Sequence, residues 1–102
     1  MSISNLDLQH TAYTLEKSLG LAIPASLDNV DQLVVVLVPV VKHWLDRDME
    51  KLLQFCYRID LREDKLKVIL HESPPGQIAE DLSRAIIDRQ CQKIQIRRKY
   101  SG

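Results

Sequence analysis

The side chains that could carry chemistry in this chain are three histidines, His10, His43 and His71, two cysteines, Cys56 and Cys91, and two close acid pairs, Asp46 with Asp48 and Glu63 with Asp64. Histidine and cysteine at short, regular spacing would bind zinc, a cysteine beside a base would act as a nucleophile, and two carboxylates in unlike surroundings would divide acid and base work. The histidines show no ligand spacing with each other or with the cysteines, so they are predicted to be surface or rim residues. Both cysteines fall on apolar stripes, where a thiol is a small buried hydrophobe rather than a nucleophile. The acid pairs stand at predicted helix starts, where negative charge complements the positive end of the dipole. The chain has 3 glycines, and Gly76 stands alone after two prolines, so no phosphate-cradling loop is present. The expectation is a chain without catalytic residues, metal or cofactor.

Arg89, Lys93, Arg97, Arg98 and Lys99 form a basic run with no acid among them and with Tyr100 beside it. Such a run can contact phosphates while the tyrosine stacks on a base. Cations also belong at the C-terminal end of a helix, and a formal net charge of +0 with 5% aromatics favours that structural role. Nucleic acid is therefore the second choice of partner, behind protein. Arg58 and Asp60 flank a helix junction, while Arg89 falls in an apolar sector of the last helix, and an inward arginine calls for a carboxylate. The predicted structural ion pair joins Asp60, or another acid between 46 and 64, to Arg89 or Arg58. The alternative is an Arg89 that snorkels along the apolar side.

These residues must be held by helices. Leu8, Ala12, Leu15 and Leu19 share one helical stripe behind Ser4 or Asn5 as cap and before Gly20 as stop. LAIPASLDN is a connector in which Pro24 forbids simple continuation and Ser26 or Asp28 can cap the next helix, which should begin near Asn29. In QLVVVLVPVVKHWL the valines favour a strand, but Pro39 cannot donate to a ladder, and Leu33, Val36, Leu37, Val40 and Trp44 stay in helical phase. The reading is a helix, apolar nearly all round and kinked near Pro39, lying in the middle of a bundle. The uncharged window is about half of the ~20 residues a spanning helix needs, so it is not a membrane segment. Met49, Leu52, Leu53 and Cys56 mark a short third helix behind Asp48. Asp60 with Glu63 reads as a capping box for a fourth, whose apolar side is Leu66, Ile69 and Leu70. HESPPGQ is a loop, and a last helix runs from Gln77 to about Arg97.

That last helix changes faces. Ile78, Leu82, Ala85 and Ile86 form one apolar sector, whereas Ile87, Cys91 and Ile94 cluster on the opposite side. Either the helix touches its own domain on both sides, or Ile87, Cys91 and Ile94 form a partner interface, most simply with a second copy in a homodimer.

A chain of 102 residues, 45% hydrophobic and 27% charged, has room for one core. The fold expected is a single all-α domain over 1–102, a bundle of four to five helices around the apolar helix and the last one, with 91–102 as a basic helix end and tail. Two cysteines and no recognisable leader suggest a reduced, cytoplasmic setting. YRIDLREDKLKVIL and IAEDLSRAIIDRQCQKIQIRRKY, with the RID turn at Arg58, Ile59 and Asp60 and the R-x-x-Q-K pattern at Arg89, Gln92 and Lys93, resemble a group of short bacterial helical proteins. The resemblance covers roughly the C-terminal half and implies an all-helical cytoplasmic protein; it supplies no activity.

Overall fold

The structure, a computed structural model, describes residues 4–20, 23 and 27–101, the last of these by its backbone. The chain begins with α1 (Asn5–Leu19), where Ser4 in extended conformation accepts a hydrogen bond from the Asp7 amide at 3.1 Å. It ends at Gly20, whose φ of 66° lies in the left-handed region that only glycine adopts without strain, and whose N–H donates to the Glu16 carbonyl. Pro24 and Ser26 of the connector lie outside the described residues. Asn29, rather than Asp28, caps α2 (Val30–Arg47), accepting from the Gln32 amide at 3.0 Å.

The helical reading of the valine run is correct, and α2 continues through Pro39. Its apolar stripe is turned relative to expectation. Leu33, Val34, Leu37, Val41 and Trp44 are buried, Val36 and Val40 only half so, and Val35 is 71% exposed. The helix is therefore not covered all round, and the exposed side is the one that carries Pro39. A proline on that side can lose its backbone donor at little cost, because water reaches the carbonyl it leaves unpaired.

Asp48 ends α2 and begins α3 (Met49–Arg58), accepting from the Lys51 amide at 3.2 Å. Leu52, Phe55 and Cys56 are buried there, with the Phe55 ring 5.5 Å from that of Trp44. The capping box predicted at Asp60 and Glu63 does not form. Helix α4 (Glu63–Glu72) starts after Arg62 with no side-chain cap. Asp60 instead has a φ of 61° and closes α3: its amide donates to the Tyr57 carbonyl at 3.1 Å, and the Leu61 amide reaches back to Cys56 at 2.9 Å. That is a Schellman motif, in which one left-handed residue lets two amides satisfy the last carbonyls, and buried Leu61 folds back beside Cys56.

After a 3-10 turn at Pro75–Gln77, α5 (Ile78–Ser101) runs 24 residues, about 36 Å, close to the 39 Å long axis of the molecule. It packs against α2, α1 and α4, and α3 packs on α2. This explains the change of face. A helix longer than its neighbours meets different ones along its length, so its buried side rotates. Among the described residues there are five α-helices and no strand, and no helix is long and apolar enough to cross a membrane.

Candidate functional site

The interface predicted on α5 is closed by the chain itself. Ile87 and Cys91 are 2% and 4% exposed and Ile94 is half-buried, so the first two cannot meet a partner in this fold. Cys91 packs toward Asp7 and Thr11 of α1, and its thiol pKa is raised, first by burial and then by the charge of Asp7. Cys56 is likewise buried, which pushes its thiol up to about 11. Both are protonated at neutral pH and shielded, as their stripes implied. His10, His43 and His71 are exposed, and among the described residues no three His, Cys, Asp or Glu side chains gather to hold a metal.

Among the described residues, the ion pair predicted between Asp60, or another acid from 46 to 64, and Arg89 or Arg58 is absent. Asp60 and Arg89 line one cavity of about 420 Å³, but among the described residues Arg89 hydrogen-bonds only Gln92, at 3.5 Å, and its buried Nε has no partner. Arg58 is exposed at the far end of the Trp44 and Phe55 pair. The tightest ion pair lies elsewhere. Asp7, only 1% exposed, accepts two hydrogen bonds from Arg98, at 2.6 and 3.2 Å, and one from Gln95 at 3.2 Å. Burial acts to raise the Asp7 pKa, but the hydrogen bonds of Gln95, Ser4 and Arg98 and the Arg98 charge outweigh it, leaving the carboxyl below its ordinary 3.8. The sequence signal was present: Asp7 stands i−4 from buried Thr11 and beside Leu8, inside the apolar stripe of α1.

The basic run is thereby divided. Arg98 is held against α1, while Arg97 and Lys99 are exposed, Lys93 is half-exposed and Tyr100 is 81% exposed. At 100° per residue, Arg89, Lys93, Ile96 and Tyr100 fall on the side of α5 away from Arg98, so Ile96, 50% exposed, and Tyr100 form a small apolar strip among cations.

The largest opening among the described residues lies at the other end of α5. A groove of about 1120 Å³ is walled on one side by Val35, Val38, Pro39 and Met49 and on the other by Leu70, Pro75 and Ile78. Lys42, Asp46, His71 and Glu80 supply its polar edge. Along α2 the wall from Val35 to Asp46 covers 11 residue steps, about 16 Å of helix. A smaller hollow of about 410 Å³ lies between Val30, Ile69 and Cys91, and its charged residues are each engaged: Lys65 with Asp88 at 4.0 Å, Arg84 with Asp31 at 2.8 Å, and Asp81 accepting from the Ser73 hydroxyl at 2.7 Å. The groove is not visible in the sequence, because a run of valines apolar nearly all round implies a helix covered by neighbours, whereas Val35 and Pro39 are exposed. Set against protein-family models, curated proteins and solved structures, the chain matches none.

Proposed function

We propose that the chain is a non-enzymatic helical interaction module whose partner, a protein segment, docks in the groove between α2 and the corner where α4 turns into α5. The observation that carries this reading is Val35: a valine 71% exposed on a helix where Val34 and Val41 are buried and Val36, Val38 and Val40 are half-buried, at the edge of an opening with apolar walls on both sides. Its walls are hydrocarbon and its charged residues stand at the edge, which favours binding of an apolar segment over chemistry.

A photo-crosslinking residue placed at Val35 tests it in cells that make the protein. Crosslinks to one protein species are expected at Val35, are lost on Met49→Glu, and are absent from a control at exposed Lys67. Equal labelling at both positions would sink the reading. The alternative, nucleic-acid association through Arg97, Lys99 and Tyr100, is supported by their exposure and weakened by the engagement of Arg98 with Asp7.

A further inference from the structure

All 14 acidic residues precede Arg89, against nine of the 14 Lys and Arg, so the body of the chain carries a formal −5 and the end of α5 carries +5. The molecule is neutral as a whole and strongly divided along its longest helix. An anionic partner such as nucleic acid is drawn to the tip and repelled by the body, whereas a second copy, turned around, is attracted at both ends.

Resting on the groove as docking site, we propose that its occupant is the last turns of α5 from a second copy of this chain. Ile96 and Tyr100 seat between the Val35 and Ile78 walls, and Lys93, Arg97 and Lys99 face Asp46 at the groove edge, the other edge acid, Glu80, being already bridged to Arg84 at 3.3 Å. Three observations carry it. The tip is already rigid, because Asp7 ties Arg98 and Gln95 to α1, so docking orders little that was free. Lys93 to Ser101 spans about 12 Å of helix, which fits within the roughly 16 Å of wall that α2 supplies. The groove begins at Ile78 and the tip begins near Ile96, about 27 Å along one straight helix, so a chain cannot fill its own groove. Two α5 helices laid antiparallel bring each tip to the other's groove by a single two-fold axis, which closes the assembly as a dimer.

Light scattering on the full chain, with circular dichroism as a check of folding, tests this. The wild type is expected to be a dimer that dissociates as salt rises, since the facing charges lie at the surface. Val35→Glu and Tyr100→Glu change exposed side chains and should each weaken dimerisation about 30-fold, the effect of a central interface anchor, without loss of helicity. Arg97→Glu should weaken it too, and adding Asp46→Arg should restore it. A monomeric wild type, or a dimer indifferent to Val35→Glu, overturns the proposal. So does a monomer that binds a labelled single-stranded oligonucleotide through Arg97, which would assign the tip to nucleic acid. Crosslinking from Val35 to a different protein overturns this inference but leaves the docking function standing; no specific crosslink sinks both.

Discussion

The carboxylate of Asp7 and the guanidinium of Arg98 meet in a two-pronged contact that joins the first turn of α1 to the last turns of α5, across 91 positions of sequence. Two parallel hydrogen bonds to a buried acid fix both the distance and the rotation of the two helices. The contact makes the C-terminal tip part of the folded body.

The stability this contact supplies should depend on pH in a defined direction. The folded-state pKa of Asp7 lies below 3.8, so its contribution is complete above that value and is lost as pH falls through the lower, folded one. Urea midpoints measured between roughly pH 6 and pH 2.5 should fall steeply for the wild type and less steeply for Asp7→Asn. At pH 7, Asp7→Asn should lower the melting temperature by several degrees, on the order of 5 °C.

Asp60 offers the opposite kind of test. Its backbone sits in the left-handed region, which costs a residue with a Cβ about 1–2 kcal/mol relative to glycine, and somewhat less for Asp. Its side chain makes no hydrogen bond that the fold needs. Asp60→Gly should therefore stabilise the chain by about 0.5 kcal/mol, and Asp60→Val should destabilise it by about 1 kcal/mol or more, both read by urea denaturation.

The caps separate a real helix signal from an apparent one. Asn29→Ala removes the acceptor for the Gln32 amide and should cost about 1 kcal/mol. Glu63→Ala breaks no cap and loses only an exposed contact with Lys67, so its cost should stay below about 0.5 kcal/mol.

Burial of Leu37 and exposure of Val35, two residues apart on one helix, predict unlike responses. Leu37→Ala should cost about 2–5 kcal/mol, the range for opening a cavity in a packed core. Val35→Ala should change stability by no more than about 0.5 kcal/mol while lowering affinity for whatever fills the groove.

Both thiols should resist modification in the folded chain. A disulfide reagent at pH 8 should label Cys56 and Cys91 at once in denaturant and far more slowly without it. The pKa of Cys56 rises from an ordinary 9.0 to about 11, so the protonated form is favoured by folding. The associated stability is complete below pH 9 and is lost as pH climbs from 9 toward 11.

Local signals in the sequence were largely legible. Ser4, Asp48 and Gly20 punctuate helices where their chemistry places them, and Leu66, Ile69 and Leu82 lie inward as their spacing requires. What misled was competition between local rules. Asp60 with Glu63 satisfies a capping pattern, but burying Leu61 and Ile59 requires the chain to turn left-handed at Asp60, and that closure of α3 takes precedence. Of the two readings left open for the second apolar face of α5, contact with its own domain on both sides is the one that the burial of Ile87 and Cys91 matches, since periodicity reports that a side is apolar but not which helix covers it. Asp7 with Arg98 was illegible as a pair because no spacing relates the two ends of a chain; the unpaired acid within the α1 stripe was the available hint.

Pro39 leaves one further mark on the groove. It has no N–H to give the Val35 carbonyl, so an acceptor lies open between two side chains of the apolar wall. An arriving segment that brings a donor to that oxygen keeps it satisfied, while a purely hydrocarbon one strips its water and leaves it unpaired, at a cost of about 1–3 kcal/mol. If the groove takes a segment as proposed, the missing hydrogen bond of α2 favours one that brings a hydroxyl or amide to this oxygen over one that is merely greasy.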